Sequence, residues 1–162
     1  MAEVTKIWRI IDLLKTAENL LEEKGISNPR LNAELLLSDT LHTNRMELYL
    51  NFEKPLNENE LTEFRSKTKR RSNREPLQYI TGSCGFYGLN FKVDQSVLIP
   101  RPETETLVDA ALEFLHSGNF ENPKILEIGA GSGCISISIA DKIGCCIYSS
   151  DTNPDSLKTA EE

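Results

Sequence analysis

The sequence predicts an α + α/β protein: an N-terminal helical bundle, a linking β-hairpin and the start of a Rossmann-like α/β domain. Up to about residue 74, apolar residues recur at the three- and four-residue spacing of a helix face. Beyond residue 100, short apolar runs are separated by a glycine-rich turn and a helix-like segment, which is how a nucleotide-binding sheet begins. We therefore divide the chain into a helical domain (1–74), a linker with a hairpin (75–100) and an incomplete α/β domain (101–162).

The helical domain is predicted to consist of several short helices with brief connections. One apolar face identifies the first helix: Ile7, Ile10, Ile11, Leu14, Ala17 and Leu21. Gly25 is expected to end that helix, and Pro29 is expected to begin the next one directly after Asn28. Two later helix starts have the spacing of a capping box: Asn44 with Glu47, and Asn57 with Glu60.

The last predicted helix of this domain carries a basic run. Residues 65–74 contain six cations and no acidic residue. Two interpretations stay open: a solvated helix face whose cations favour the C-terminal dipole, or a docking surface for an acidic partner or RNA. Trp8 is predicted to pack within the bundle, and Leu61, Phe64 and Thr68 are expected to turn inward.

Residues 85–93 alternate in the manner of two strands, with Gly88 at the turn between them. The aromatic residues Phe86, Tyr87 and Phe91 could suggest a binding box. They are more simply the packed face of a hairpin, which is the interpretation we adopt.

The most informative stretch is residues 127–133, E-I-G-A-G-S-G. It follows an apolar run (124–126) and precedes a helix-like segment (134–142). Asp151 then ends a second apolar run (145–148). The order is strand, glycine turn, helix, strand and acid, which is typical of a site for a nucleoside-type ligand.

Each part of this pattern has a physical role. Glycine reaches positive φ without steric cost and lets a ligand approach the main chain, and the helix N-terminus presents its amides to that ligand. An acid after the second strand can accept hydrogen bonds from ribose hydroxyls. The dinucleotide pattern G-x-G-x-x-G is not met, because Gly133 comes one residue early and Cys134 takes the expected place. A dehydrogenase is therefore disfavoured.

A second segment lies before a helix that is predicted from about residue 104 to 116. It is I-P-R-P-E-T-E, residues 99–105, in which two prolines bracket Arg101 and make a stiff extended piece. On physical grounds alone this could be a proline-capped helix start, with Glu103 and Glu105 favouring the helix dipole.

Together with E-P-L-Q-Y-I-T-G at residues 75–82, these motifs resemble the HemK/PrmC family of protein-glutamine methyltransferases. The resemblance covers the whole chain, from the helical region to the glycine turn. It implies a methyltransferase domain that uses S-adenosyl-L-methionine, methyl transfer to the glutamine side chain in the GGQ motif of peptide chain release factors, and an N-terminal domain that helps to engage the release factor. The cofactor residues carried over by motif are Gly129, Ala130, Gly131, Ser132, Gly133 and Asp151, with Glu127 and Arg101 as weaker candidates.

The family orients its substrate amide with an Asn-Pro-Pro-Tyr segment after the fourth strand, and this chain has none. The Asn-Pro pairs at residues 28, 122 and 153 all lack the second proline. No catalytic residue is therefore named. We expect the chain to be truncated, residues 125–162 to be unstable alone, and the isolated chain to be inactive. The alternatives are a nucleic-acid adenine methyltransferase and a non-catalytic fragment that binds release factors.

Composition agrees with a globular protein that does not generally coat nucleic acids. The chain has 162 residues, 39% hydrophobic, and a net charge of −7. There is no long apolar run and no basic start of a signal peptide, so a cytoplasmic protein is expected. The four cysteines show no zinc pattern, and Cys145 and Cys146 are expected to be buried in a strand. Neither histidine is assigned a role, and no oligomeric state is indicated.

Overall fold

The computed structural model describes residues 7–118 and 120–162. The chain divides into two units between Thr81 and Gly82. Residues 1–6, on which the expectation of a missing signal peptide rests, lie outside the described residues. Within the described part, no helix is both long and apolar enough to cross a bilayer.

The first unit is helical. Its helices are α1 (Ile10–Glu23), α2 (Pro29–Thr40), α3 (Arg45–Leu50), α4 (Glu58–Ser72) and α5 (Leu77–Thr81). They enclose one apolar core, to which α1, α2 and α4 contribute most of the buried side chains. Trp8 packs against this core as predicted, and Leu61, Phe64 and Thr68 are buried. The E-P-L-Q-Y-I-T-G segment includes α5, which contacts α2 and α4.

The ends of these helices follow the predicted signals closely. Gly25, at φ 66°, follows the end of α1, and Pro29 is the first residue of α2. Asn57 forms a complete capping box: its side chain accepts from the amides of Asn59 and Glu60, and the Glu60 carboxylate accepts from the amide of Asn57. Asn44 forms only half of a box, because it accepts from Glu47 while the Glu47 carboxylate accepts from the hydroxyl of Thr43.

The predicted face of the first helix was partly wrong. Ile7 and Ile11 are exposed, and Leu13 is buried instead. Ile7 precedes the helix, which begins at Ile10, so its side chain does not follow the helical period. The buried stripe consists of Ile10, Leu13, Leu14, Ala17 and Leu21.

One carboxylate lies inside this helical unit. Glu34 on α2 is 1% exposed and accepts hydrogen bonds from Arg30 at 2.7 Å and from Arg45 at 2.6 Å. The hydroxyl of Tyr49 also donates to it. Burial acts to raise the pKa of Glu34, but these hydrogen bonds outweigh it and hold the pKa below its ordinary value. The carboxylate is therefore ionised and tied to three partners.

The second unit begins with a β-hairpin. Strands β1 (Ser83–Phe86) and β2 (Leu89–Lys92) pair antiparallel. Tyr87 and Gly88 both have positive φ, at 50° and 77°, as a two-residue turn of type I′ requires. Phe86 and Phe91 are buried, which confirms the hairpin and its packed aromatic face.

An α/β segment follows the hairpin. It comprises α6 (Glu105–Ser117), β3 (Lys124–Ile128), α7 (Cys134–Ile143), β4 (Cys146–Ser150) and α8 (Pro154–Glu161). Strands β3 and β4 pair in parallel, Lys124 opposite Cys146 and Ile128 opposite Ser150. Helices were expected at about residues 104–116 and at 134–142, and both occur, whereas α8 was not expected. The cap Asn153, which accepts from the amide of Asp155, and the proline after it were the overlooked signals for α8.

The two faces of the β3–β4 pair differ. Ile125 and Ile147 pack against the core formed with α6 and α7. On the opposite face Leu126, Ile128 and Tyr148 are 65%, 83% and 58% exposed. Cys146 is also exposed, so the expectation that it is buried was wrong. Cys146 lies opposite Lys124, on the same face of the strand pair as Leu126 and Tyr148, and it shares the exposure of that face. The predicted fold class, a helical domain followed by the start of an α/β domain, is confirmed.

Candidate functional site

The glycine turn joins β3 to α7 and needs glycine at three positions. Gly129, Gly131 and Gly133 have φ of 83°, 56° and 74°, in the left-handed region that side chains disfavour. A Cβ added to Gly129 or Gly131 would meet no atom within 4 Å, so this side of the turn is open. A Cβ at Gly133 would lie 3.0 Å from Ile137 and 3.3 Å from Ala160, so Gly133 also permits close packing of α7 and α8.

Asp151 holds the turn from the end of β4. Its Oδ2 accepts from the amide of Gly131 at 2.9 Å, and its Oδ1 accepts from the amide of Asn153 at 2.9 Å. The amides of Gly129 and Ala130 bind the carbonyl oxygen of Ser150 at 2.7 and 3.0 Å. Three of these hydrogen bonds, from the amides of Gly129, Ala130 and Gly131, fasten the glycine turn to the end of β4 and the residue after it.

These hydrogen bonds also fix the charge of Asp151. The amides of Asn153 and Gly131 hold the pKa of Asp151 below its ordinary value, so the carboxylate is ionised at neutral pH. Each carboxylate oxygen has a second lone pair. Asp151 is partly exposed and can therefore accept further hydrogen bonds from a ligand hydroxyl.

The side chains of the two residues between the glycines face the protein interior. Ala130 and Ser132 are both buried. A ligand at the open side of the turn would therefore meet the main chain of these residues and not their side chains. Cys134, the first residue of α7, is also buried, and burial raises the pKa of its thiol.

Glu127 is occupied within the protein. Its carboxylate accepts from the hydroxyl of Ser136 on α7, and that hydroxyl lies 2.8 Å from the hydroxyl of Ser149 on β4. Sequence reasoning missed both serines. The signal was available in C-I-S-I-S-I-A, where polar residues interrupt an apolar helix at regular intervals. Beside them, a cavity of about 280 Å³ lies between α7, β4 and α8 and is lined by Ser136, Ser149 and Leu157.

Arg101 lies apart from these contacts. Its side chain is exposed, and its carbonyl oxygen accepts from Thr104 at 2.9 Å in the 3-10 turn Pro102–Thr104. Burial raises the pKa of the Cys84 thiol, and the nearby charge of Arg101 partly offsets that effect. Neither Thr104 nor Cys84 belongs to the glycine turn. In residues 7–118 and 120–162 no cluster of three or more potential metal ligands occurs.

A parallel strand pair, an open glycine turn, a helix and an ionised acid after the second strand define the beginning of a Rossmann-like ligand-binding domain. A separate helical unit precedes it. Residues 12–82 match the family model described as the PrmC N-terminal domain. That match ends at Gly82, the first residue of the second unit.

Curated relatives extend the similarity into the glycine turn. A release factor glutamine methyltransferase from Chlorobaculum tepidum is 43% identical over 159 residues, which are 96% of this chain and 54% of the relative. Proteins of the same name from Geobacter sulfurreducens and Leptospira interrogans are 46% and 45% identical, over 88% and 80% of this chain and 49% and 45% of their own length. The chain belongs to the HemK/PrmC family, and it spans about half the length of the curated relatives it matches.

Proposed function

We propose that this chain supplies the helical domain and the first part of the methyltransferase domain of a release factor glutamine methyltransferase. The reaction is methyl transfer from S-adenosyl-L-methionine to the side-chain amide of the glutamine in the GGQ motif of peptide chain release factors. The observation that carries the proposal is 43% identity to a protein of that name over 96% of this chain. A stretch of that extent includes both the helical unit and the glycine turn.

The residues at the turn fit the proposed cofactor. Gly129 and Gly131 leave an open cradle that a Cβ would fill, and ionised Asp151 has lone pairs free for ribose hydroxyls. When bound, S-adenosyl-L-methionine supplies a methyl group made electrophilic by its sulfonium. The chain's own part is to bind and orient: main-chain amides at the start of α7 face the ligand, and Asp151 fixes its ribose.

The nucleophile, the side-chain amide nitrogen of the substrate glutamine, must be oriented by other groups. The lone pair of an amide nitrogen is delocalised into its carbonyl, so the glutamine side chain must be oriented and hydrogen-bonded before it reacts. No residue of this chain is proposed for that role, because its Asn-Pro pairs lack the Asn-Pro-Pro-Tyr sequence. Glu127 is proposed to position α7 through Ser136. Arg101 is kept as a weaker candidate for lining the cofactor pocket.

The test is transfer of labelled methyl from S-adenosyl-L-methionine by the complete natural protein. We expect label in a release factor and none in a release factor whose GGQ glutamine is replaced by alanine. Label in RNA or DNA instead would overturn the proposal in favour of an adenine methyltransferase.

In the complete natural protein, Asp151→Asn should weaken cofactor binding about tenfold. Asp155→Asn, which changes a carboxylate that binds Lys158 on α8, should leave cofactor binding unchanged.

The intact mass of the native gene product is the first measurement to make. A mass well above 18.2 kDa, with an Asn-Pro-Pro-Tyr segment in the added residues, would support the proposal. A native mass of 18.2 kDa, together with release factor binding but no methyl transfer, would instead indicate a non-catalytic binding protein.

A further inference from the structure

An apolar groove runs along the surface of the helical unit between α1 and α4. Its volume is about 440 Å³, within the range of binding pockets in proteins. Residues from both helices and from the segment before α1 line it, chiefly Trp8, Leu13, Ala17, Leu20, Phe64 and Thr68. On α1 the lining positions from Leu13 to Leu20 follow one helical stripe, so the groove extends for about 10 Å along the helix axis.

The basic run on α4 divides into two groups. Four of its six cations bind groups within the helical unit: Lys67 to Asp39 and Glu63, Arg70 to Glu75, Arg71 to Asn32, and Arg74 to the carbonyl oxygen of Lys24. Neither Arg65 nor Lys69 has a carboxylate partner in the described part of the chain. Both are exposed, both line the groove, and Arg65 lies 5.6 Å from the centre of the Trp8 ring.

The charge around the groove is therefore one-sided. Arg65 and Lys69 are the charged residues among its lining, and both are cations in a chain whose net charge is −7. They are four residues apart on one helix, so they lie side by side along one wall. An apolar floor and two adjacent cations without a carboxylate partner among the described residues complement a ligand that has an apolar stripe and two adjacent anions.

We propose that this groove binds an acidic amphipathic helix of a protein partner. Such a helix would place apolar side chains at i, i+3/i+4 and i+7 on the groove floor. Two carboxylates at i and i+4 beside that stripe would meet Arg65 and Lys69. A groove about 10 Å long accommodates roughly two helical turns. The inference concerns binding by the helical unit and does not depend on the proposed methyl transfer.

The probe is a capped peptide of about 14 residues, long enough to populate a helix, with leucines on one face and two glutamates four residues apart beside them. A matched peptide carries glutamines in place of the glutamates. Trp8 is the single tryptophan of the chain and lines the groove, so its emission reports occupancy in the 162-residue protein. We expect the acidic peptide to shift that emission and to bind about tenfold more tightly than the neutral peptide.

Variants of the two cations sharpen the test. Lys69→Gln and Arg65→Gln should each lower the affinity for the acidic peptide about threefold and leave the affinity for the neutral peptide unchanged. Because Arg65 contacts Trp8, its variant is measured by anisotropy of a labelled peptide. The matched control is Lys15→Gln on α1, an exposed cation outside the groove lining, which should bind as the parent chain does. Far-UV circular dichroism verifies that each variant is folded.

Three outcomes would overturn the proposal. Equal affinity for the acidic and neutral peptides would make the groove a plain apolar surface. Binding of a fatty acid such as laurate, with no peptide binding, would assign it to small amphiphiles. A concentration-dependent shift of Trp8 emission without peptide, accompanied by a dimer in sedimentation, would make a second copy of the chain the occupant.

Discussion

The helical unit encloses a larger apolar core than the α/β unit, whose strand pair leaves one face uncovered. In the described residues the helical core has fourteen buried apolar side chains, against six in the second core. Leu126, Ile128 and Tyr148 of β3 and β4 remain exposed on one face of the strand pair. Helices bury one stripe each and can do so against sequence neighbours, whereas parallel strands are stable when both faces are covered. The helical unit, whose helices pack against sequence neighbours, is therefore expected to depend less on further chain for its core than the α/β unit does.

The largest expected contrast comes from removing leucine side chains of equal size in the two units. Leu14→Ala empties a fully buried site in α1 and should lower the free energy of unfolding by about 3 kcal/mol. Leu126→Ala in β3 removes a side chain that is 65% exposed and should cost less than about 0.5 kcal/mol. Urea unfolding followed by far-UV circular dichroism measures both. An equal loss for Leu126→Ala would mean that its face of the sheet is covered in solution, and the contrast would be lost.

A smaller effect is expected from Glu34, the buried carboxylate of the helical unit. Glu34→Gln keeps the shape but removes the charge that Arg30 and Arg45 share, and should cost about 2 kcal/mol at neutral pH. Glu18→Gln is a matched control, because Glu18 also binds Arg30 but is partly exposed and should cost less than about 0.5 kcal/mol.

The contribution of Glu34 to stability should also depend on pH, in a direction that its pKa shift fixes. The pKa of Glu34 is lower in the folded protein than in the unfolded chain. Its stabilising contribution is therefore complete above the unfolded value, about 4.3, and is lost as pH falls through the lower folded value. The difference in unfolding free energy between parent and Glu34→Gln should shrink when the pH is lowered from neutral into the acid range. A difference that grew on acidification would contradict this assignment.

In the α/β unit the corresponding anchor is Asp151. Asp151→Asn replaces an acceptor-only carboxylate with an amide, so one of the two bonds from Gly131 and Asn153 is lost. Amide hydrogen exchange at Gly131 should become about fivefold faster, as measured by NMR. Asp155→Asn serves as the control, since its carboxylate binds Lys158 on α8. Unchanged exchange at Gly131 would show that Asp151 does not hold the turn.

The features that were predictable from sequence are those fixed by neighbouring residues. Pro29 at a helix start, the capping spacing of Asn57 and Glu60, and the glycine turn each depend on local backbone chemistry, and each occurs where expected. The contact of Glu127 with Ser136 was not predictable in this way. Alternation along a strand shows that two faces differ, but it does not say which helix covers which face.

The basic run on α4 also shows that tertiary partners cannot be read from the sequence. Its six cations gave two open interpretations, a solvated helix face or a docking surface, because the sequence does not show which of them find partners. The structure ties Lys67, Arg70 and Arg71 to groups on other segments. It leaves Arg65 and Lys69 beside an apolar groove. Partner choice over long sequence separations is a tertiary property, and it decides which of these cations can meet a ligand.

The smallest predicted effect compares the two helix caps that the sequence indicated equally. Asn57→Ala removes the side-chain acceptor for the amides of Asn59 and Glu60 but keeps the bond from the amide of residue 57 to the Glu60 carboxylate, so it should cost about 1 kcal/mol. Asn44→Ala removes one acceptor, for the amide of Glu47, from a helix of six residues and should cost about 0.5 kcal/mol. Urea unfolding read by Trp8 emission measures both, because Trp8 packs against the helical core. Since both sites have the same Asn-x-x-Glu spacing, a larger cost at Asn44 would show that the second amide bound by the Asn57 side chain contributes little.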